Sequence, residues 1–199
     1  MSFDWDERYS AAERVWSGAP NGSLVAGVAG LTPGRVLDVG CGEGGDAVWL
    51  ARRGWTVTAL DVSGVALDRA AAHARDAGVE IEWVHAGLVE AGLPAASFDL
   101  VSVQYPALLR TPAHDAERAL VSAVAPGGVL LVVHHADVDR EEAMSRGYDP
   151  DDYVGHQHVV DALGDGWSVE VDERRGRAVP TSGQAHHHVD EVLRARRLS

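Results

Sequence analysis

Short apolar runs rich in β-branched residues alternate along the chain with longer stretches rich in alanine and arginine. This alternation is typical of parallel strands joined by helices. The apolar runs predict strands at Arg35–Val39, Thr56–Leu60, Ile81–His85, Leu100–Gln104 and Val129–His134. The stretches between them predict helices at Gly45–Arg53, Ser63–Ala77 and Ala113–Val124. Pro126-Gly127-Gly128 is expected to end the last of these helices and lead into the fifth strand.

The pattern changes near the C-terminus, after a short helix predicted from His156 to Leu163. WSVEVDERR and HHHVDEVLRARR are typical of two strands, and the turn-rich stretch between them contains Pro180 and Gly183. Because that stretch leaves no room for a crossover helix, we expect the two strands to pair antiparallel. The prediction is an α/β fold with a mixed seven-stranded sheet, five strands parallel plus a C-terminal antiparallel pair, and helices on both faces.

A chain of 199 residues with 46% hydrophobic content can bury one full core, and no linker composition divides it. We therefore expect a single domain. All 17 basic residues are arginine, against 30 acidic ones, for a formal net charge of −13. This charge disfavours nucleic acid and anionic membranes as partners. The absence of lysine excludes a P-loop lysine, a pyridoxal Schiff base and the Tyr-x-x-x-Lys pair of short-chain dehydrogenases.

The single cysteine, Cys41, cannot form an intrachain disulfide, and the opening MSFDWDERYS lacks the basic and apolar regions of a signal peptide. No apolar run approaches the roughly 20 residues that span a bilayer. The expected location is the cytoplasm. The oligomeric state does not follow from the pattern.

The segment VLDVGCGEGG, in Val36–Ala51, runs from an apolar strand through a glycine-rich turn into an amphipathic helix. Glycines let the backbone approach a ligand, and the helix adds unpaired amides. Gly40, Gly42 and Gly45 satisfy G-x-G-x-x-G, and Asp61 follows at about the distance of a ribose-binding acid. A dinucleotide site is therefore one alternative. Asp38 opposes it, because a carboxylate there suits a cationic, amino-acid-bearing ligand better than a pyrophosphate.

These residues resemble class I S-adenosylmethionine-dependent methyltransferases, which implies a Rossmann-like fold that binds this cofactor. The resemblance extends from about Trp5 to Arg197. WDERYSAAERVWSGAPN and CGEGGDAVWLARRGWTVTALDVS are similar to the small bacterial group that includes tellurite-resistance and thiopurine methyltransferases. The implied reaction is methyl transfer to a small-molecule nucleophile (sulfur, selenium or tellurium, nitrogen or oxygen), with release of S-adenosylhomocysteine.

The resemblance also implies a set of cofactor-binding residues. The loop around Asp38, Gly40, Cys41 and Gly42 would hold the methionine part, and Asp61, followed by Val62, would accept both ribose hydroxyls. The stretch containing Gly87 and Leu88 would run alongside the adenine ring, and Gln104 would lie near the sulfonium. Many relatives carry an acidic residue where this chain has Gly87, so the adenine contact departs from the family pattern.

Three N-terminal aromatic residues, Trp5, Tyr9 and Trp16, fall on roughly one face of a helix. They either pack on the core or belong to a lid that closes over the site and lines the acceptor pocket with Tyr105. Aromatic faces also attract a sulfonium cation. The expected layout is an N-terminal helical lid at residues 1–30, a cofactor-binding core at 31–135, and a substrate-side insertion with a C-terminal hairpin at 136–199.

Ten histidines include His134-His135, His156-x-His158 and His186-His187-His188. One interpretation is that they are scattered polar residues without a shared role. The other is that the histidines at the end of the fifth strand act as a general base or a metal ligand. His134 or His135 is expected to face the pocket there, and we assign His135 as the candidate general base because imidazole titrates near neutrality. A metal held by His135 and a C-terminal histidine is an open alternative, although no metal is predicted.

Two other functions remain open at this point. An NAD(P)-binding oxidoreductase would share the glycine loop and Asp61, and a catalytically silent protein that binds S-adenosylmethionine would share the whole site. Hydride transfer would identify the first, and tight cofactor binding without turnover the second.

Overall fold

A computed structural model describes residues 4–176 and 189–199. Seven strands form a single sheet in the order β3-β2-β1-β4-β5-β7-β6. The strands are β1 (Arg35–Val39), β2 (Thr56–Asp61), β3 (Glu82–His85), β4 (Phe98–Gln104), β5 (Val124–His135), β6 (Trp167–Gly176) and β7 (Val189–Arg197). The helices are α1 (Trp5–Ser10), α2 (Gly22–Gly27), α3 (Gly45–Ala51), α4 (Gly64–Ala77), α5 (Asp115–Ala123), α6 (Arg140–Ser145) and α7 (His156–Ala162), with one 3₁₀ turn at Pro150–Asp152.

The predicted sheet is confirmed. Strands β1 to β5 pair parallel, while β7 pairs antiparallel with both β5 and β6. Because side chains alternate along a strand, the sheet buries two apolar layers. One contains α2 and α3, and the other contains α5 and α7. Helices therefore cover both faces, and the carboxyl ends of the parallel strands share one edge.

Pro126-Gly127-Gly128 does not separate α5 from the fifth strand as predicted. The strand already begins at Val124, five residues before the predicted start, and the Pro-Gly-Gly stretch lies inside it. The pairing with β4 jumps from Phe98–Val124 to Leu100–Val129, which leaves the stretch as a bulge. Gly127 has φ of +76°, and a Cβ on Gly128 would lie 2.9 Å from the Ala125 carbonyl oxygen. The bulge can therefore hold a proline without N–H and two glycines inside a strand.

Other predicted boundaries shift by only a few residues. The strand β2 extends to Asp61 and β4 begins at Phe98, while α3 and α5 are shorter than predicted. Ser63 caps α4, since its hydroxyl oxygen accepts the Ala66 N–H at 3.1 Å. Within the described ranges, no helix is both long and apolar enough to cross a membrane.

Candidate functional site

The glycine loop between β1 and α3 requires its glycines. Gly40, Gly42 and Gly44 have φ of +69°, +51° and +78°, a region that other residues rarely adopt. A Cβ on Gly42 would lie 2.8 Å from the Tyr9 hydroxyl oxygen. The N–H groups of Gly40 and Cys41 both donate to the Leu60 carbonyl oxygen, at 2.9 and 3.0 Å. The loop is therefore tied to the end of β2 through its own amides.

Three buried carboxylates surround this loop on one face of the sheet: Asp38 on β1, Asp46 on α3 and Asp61 on β2. Burial raises the pKa of Asp38 well above its ordinary value, and the nearby Asp46 and Asp61 raise it further. One oxygen of Asp38, Oδ2, is buried without a hydrogen-bond partner. A buried, unpartnered carboxylate oxygen next to two other carboxylates is a strong acceptor for a cationic donor. The prediction placed Asp38 and Asp61 here, but it did not include Asp46.

Asp61 links the loop to the start of α4. Its Oδ2 accepts the Gly42 N–H at 2.8 Å, and its Oδ1 accepts the Ser63 N–H at 2.9 Å. Burial raises its pKa, and these two N–H donors act in the opposite direction. The following Val62 has 51% of its surface exposed. Both Asp61 oxygens have room in their coordination for a further donor, because a carboxylate has about four lone-pair sites.

Two of the three N-terminal aromatic residues, Tyr9 and Trp16, lie against the loop at Gly42, but not along a single helix face as expected. Helix α1 ends at Ser10, so Trp16 follows it in irregular structure. The Trp16 indole N–H donates to the Tyr9 hydroxyl oxygen at 3.0 Å, and the Trp5 and Tyr9 ring centroids are 6.3 Å apart. Tyr9 is buried, and this burial raises its pKa to about 12. Tyr9 and Trp16, which lie over Gly42, are therefore brought together by a turn of the chain after α1.

Glu43 and Arg69 hold this N-terminal segment in place, and the sequence interpretation missed both. Glu43 accepts the Val15 and Trp16 N–H groups and pairs with Arg69 at 2.8 Å. Arg69, on α4, also donates to the carbonyl oxygens of Tyr9 and Ala12. Although burial opposes it, these donors lower the pKa of Glu43. The only signal in the sequence was Glu43 itself, a charged residue in a glycine-rich loop. A charged side chain there would ordinarily be expected to face solvent.

The substitution Arg69→Met should expose the N-terminal segment to trypsin. It removes the partner of Glu43 and two donors to the segment, so the segment will open more often. We expect cleavage after Arg8 and Arg14 to be at least about fivefold faster than in the wild type, measured by mass spectrometry of the released peptides. Arg118→Met, which removes an exposed pair with Asp115, is the control. Equal cleavage rates in wild type and Arg69→Met would show that Arg69 does not hold the segment.

The ends of β3 and β4 flank the carboxylates on either side. Asp61 pairs with His85 in the β2–β3 register, which places Gly87 close to the ribose side of the predicted site. The Leu88 side chain packs in the α5 and α7 core, so only its backbone faces that edge. At the end of β4, the Gln104 Nε2 donates to the Ser102 hydroxyl at 3.2 Å, while its buried Oε1 lacks a partner.

A second cluster lies where β4, β5 and β7 meet. Tyr105 has φ of +53°, a rare value for a bulky residue, and its ring stacks on His135 with centroids 4.4 Å apart. The Tyr105 hydroxyl donates to Asp190 at 2.8 Å, and the Ser23 hydroxyl is 3.4 Å from the same oxygen. Asp190 is 2% exposed and pairs with His135 in the strand register. Sequence reasoning missed Asp190, although its position two residues before the buried Val192 places it on the same face.

The two histidines at the end of β5 face opposite sides of the sheet. His135 lies with Tyr105, whereas His134 is buried against α7, with its Nε2 3.0 Å from the Val154 carbonyl oxygen. Burial lowers the pKa of His134 to about 4. Of the two histidines, His135 is the one that lies beside Tyr105 at the end of β4. The triplet His186-His187-His188 lies outside the described residues.

Neither a metal centre nor a reactive thiol emerges from the described part of the chain. No group of three or more histidine, cysteine, aspartate or glutamate side chains in 4–176 and 189–199 is arranged to hold a metal ion. Burial raises the pKa of Cys41 well above its ordinary value, with further contributions from Asp38 and Asp61. A thiol that stays protonated is a poor nucleophile.

Comparison with known proteins supports the predicted class. Residues 36–128 match a family model described as a methyltransferase domain. An uncharacterized methyltransferase of Mycobacterium tuberculosis is 43% identical over 98 residues, which is 49% of this chain and 49% of that protein. The chain thus spans about half the length of this relative. The matched residues include the glycine loop, Asp61, Gly87 and the whole of β4.

Solved structures match over a larger part of the chain. One solved structure concerns the conversion of a disulfide bond into a thioacetal group during echinomycin biosynthesis. Its protein is 27% identical to this chain, with a TM-score of 0.76, and the match covers 98% of this chain and 91% of that one. The N-methyltransferase NodS of Bradyrhizobium japonicum, in complex with S-adenosylhomocysteine, is 21% identical with a TM-score of 0.71, over 97% and 96%. TehB of Haemophilus influenzae shares the fold with a TM-score of 0.69 at 14% identity, over 98% of this chain and 66% of TehB.

These matches confirm the predicted Rossmann-like methyltransferase fold and the resemblance on which it rested. The predicted enzyme class is supported by the match of residues 36–128 to a methyltransferase domain, which covers less than half of the chain. Residues 36–128 are thus similar to a methyltransferase domain, within a sheet that has the Rossmann-like fold of the matched structures.

Proposed function

We propose that the whole chain transfers a methyl group from S-adenosylmethionine to a small-molecule nucleophile and releases S-adenosylhomocysteine. The observation that carries the proposal is the group of buried carboxylates, Asp38, Asp46 and Asp61, around the glycine loop at the carboxyl edge of the sheet. Such a site suits a ligand that carries positive charge and a pair of hydroxyl donors.

The unpartnered Oδ2 of Asp38 provides a test of whether these residues fit the cofactor. A buried carboxylate oxygen without a donor is costly, and the amino group of a methionine moiety would satisfy it. Asp61 is already oriented by the Gly42 and Ser63 N–H groups, and its remaining lone pairs suit the two ribose hydroxyls. The residues present therefore fit S-adenosylmethionine.

The same geometry disfavours NAD(P). Dinucleotide-binding loops hold a pyrophosphate with free backbone N–H groups. Here the N–H groups of Gly40, Cys41 and Gly44 donate to carbonyl oxygens of the protein, and that of Gly42 donates to Asp61. A pyrophosphate at this loop would receive few hydrogen bonds from the loop amides and would lie beside three carboxylates. The buried carboxylates therefore make the oxidoreductase alternative the less favoured one.

In the proposed reaction the protein acts mainly by positioning. S-adenosylmethionine supplies a methyl group already activated on a sulfonium sulfur. Asp38 and Asp61 would hold the two ends of the donor, while Tyr9 and Trp16, over Gly42, would exclude water from the site. Trp5 lies next to Tyr9 in this layer. We propose that the predicted N-terminal part, residues 1–30, is the lid of the site.

The acceptor would bind beside the Tyr105 and His135 pair. Asp190 fixes the Tyr105 hydroxyl as a donor to itself, which leaves the phenol oxygen able to accept a hydrogen bond. His135 is the candidate base for an oxygen or nitrogen acceptor, whereas a soft sulfur or selenium nucleophile needs none. We also propose that the predicted insertion covers this edge, which is supported by the pairing of Leu109 with Tyr153 and by the hydrogen bond from the Val154 N–H to the Leu108 carbonyl oxygen.

Two considerations narrow the range of candidate acceptor molecules. The net charge of −13 favours a small, neutral or cationic molecule over nucleic acid. The protein that is 27% identical comes from a structure concerned with conversion of a disulfide into a thioacetal, which is chemistry at sulfur. We therefore place thiols first among candidate acceptors, ahead of selenols, amines and hydroxyls, and we propose a cytoplasmic site of action.

The cofactor part of the proposal is tested by thermal unfolding with S-adenosylhomocysteine or NAD. A ligand at about 100 times its Kd stabilises the folded state by about 2.7 kcal/mol. For a domain of this size we expect a rise in Tm of about 5–10 °C with S-adenosylhomocysteine. NAD should leave the Tm unchanged. A rise with NAD alone would overturn the proposal.

The transfer itself is tested with methyl-labelled S-adenosylmethionine and thiophenol, benzeneselenol, aniline and catechol as probe acceptors. We expect label in the thiophenol product and matching formation of S-adenosylhomocysteine. Tight binding of S-adenosylhomocysteine without label transfer to any probe would instead favour the catalytically silent protein.

A further inference from the structure

The loop that leaves β4 pairs with the stretch that precedes α7. Leu109 and Tyr153 form an antiparallel bridge, and the Val154 N–H donates to the Leu108 carbonyl oxygen at 2.8 Å beside it. Val154 is buried in the core under α5 and α7, and Leu108 packs against the same core. Because side chains alternate along paired extended chains, Leu109 and Tyr153 face the opposite way, out of this core.

The outward face of this pairing is apolar and aromatic. Leu109 is 50% exposed, an unusual exposure for a leucine held in a paired segment. The Tyr153 ring meets the Tyr148 ring edge to face, with centroids 6.1 Å apart and an interplanar angle of 83°. We call these three residues, Leu109, Tyr148 and Tyr153, the ring surface. An exposed leucine beside two partly exposed tyrosines suits a flat apolar group, since aromatic rings pack favourably on one another.

Acidic residues near the ring surface are engaged by contacts within the insertion. The Arg140 guanidinium donates to both Asp149 oxygens, at 3.0 and 2.6 Å, and lies 3.3 Å from Asp151. This guanidinium lowers the pKa of Asp149. Asp139 caps α6, since it accepts the Glu142 N–H at 2.9 Å. These contacts fix the chain around Tyr148 and offset part of its negative charge, so the ring surface suits a neutral ligand.

The ring surface continues from the candidate acceptor site. Leu109 follows Tyr105 by four residues, which span at most about 14 Å. The Tyr105 N–H donates to the Val133 carbonyl oxygen at 2.7 Å, which holds the start of this run at β5. Three side chains are too few for a stable protein interface, which takes about 20–30 residues a side. A small molecule that extends from Tyr105 is therefore the occupant that size and position favour.

We propose that the ring surface binds an apolar ring of the methyl acceptor, remote from the nucleophilic atom beside Tyr105. The acceptor class is then a neutral molecule whose nucleophile is carried on one ring and extended by a second. This assignment rests on the proposed function, because it takes the Tyr105 side of the site as the place of the acceptor. Contacts to the remote ring are the same before and during transfer, so they contribute to acceptor affinity rather than to the transfer step.

The test is calorimetric titration of the protein, saturated with S-adenosylhomocysteine, with phenol and 4-phenylphenol. These probes differ by one apolar ring, and no methyl group is available for transfer. In the wild type we expect 4-phenylphenol to bind about tenfold more tightly than phenol, because the second ring leaves water. In Leu109→Ser the preference should fall to about threefold, because part of the ring surface is lost. Tyr153→Phe keeps the ring and should retain the full preference.

Leu198→Ser is the matched control, since Leu198 is 49% exposed and follows β7 at the opposite end of the sheet. It should keep the tenfold preference.

A Leu109→Ser variant that also keeps the tenfold preference overturns the inference. Equal binding of the two phenols by the wild type, or binding of neither, overturns it and leaves the cofactor part of the proposed function intact. A wild-type dimer that is lost in Leu109→Ser would assign the ring surface to a second copy of the chain and would overturn it too. If S-adenosylhomocysteine itself does not bind, the proposed function fails together with the inference.

Discussion

Replacing Asp61 with alanine is expected to weaken binding of S-adenosylhomocysteine about 100-fold. Two charge-assisted hydrogen bonds to the ribose, at about 1.5 kcal/mol each, account for about 3 kcal/mol. The substitution also leaves the Gly42 and Ser63 N–H groups without their acceptor, which should loosen the loop. Isothermal titration measures the affinity, and thermal unfolding shows how far the free protein is changed.

Asp99→Ala is the matched control for Asp61→Ala. Asp99 is a β4 carboxylate that likewise accepts a backbone N–H, from Arg35 at 2.7 Å, but it is exposed and lies at the opposite end of the sheet. We expect this variant to bind S-adenosylhomocysteine like the wild type. An Asp61→Ala variant within threefold of wild-type affinity would mean that Asp61 does not hold the ribose.

The wild type is expected to lose about 2 kcal/mol of stability between pH 7.5 and pH 5 through His134 alone. Burial lowers the pKa of His134 to about 4 in the folded state, against about 6.5 when unfolded. The unfolded chain therefore binds a proton in this window and the folded chain does not, so stability falls as the pH falls toward the folded pKa. The penalty should be fully developed only below about pH 4.

Urea unfolding of wild type and His134→Gln at several pH values measures this effect. Other titrating groups act in both proteins, so the difference between the two curves isolates His134. We expect the wild type to lose about 2 kcal/mol more than His134→Gln over this range. Parallel curves for wild type and His134→Gln would contradict the burial argument.

Much of the architecture was predictable because it depends on local patterns. Apolar runs rich in β-branched residues form strands. Because helices connect these strands, the strands are expected to pair parallel. The positions of Asp38 and Asp61 followed, since Asp61 is the last residue of β2 and Asp38 is the last but one of β1. The irregular part of β5 did not follow, because its pairing with β4 overrides the usual effect of a Pro-Gly-Gly stretch.

The parts of the site that were missed depend on contacts between distant segments. Arg69 lies on the surface of a helix that gives no sign of its bonds to Tyr9 and Ala12. Asp190 reaches Tyr105 only because β7 lies beside β5, and 85 positions separate the two residues. The meeting of Trp16 with Tyr9 requires a turn after α1 rather than a longer helix. Helical or strand periodicity contains no information on such pairs.

The order of strands in the sheet has a consequence for how the acceptor side forms. Strand β7 follows β6 in the chain but lies between β5 and β6, so β6 has no partner within the sheet until β7 has inserted. The Asp190 contact to Tyr105 depends on the same step, because Asp190 is the second residue of β7. Both the β5–β7 pairing and the Asp190 contact to Tyr105 join segments that are far apart in the chain, so we expect them to form together and late in folding.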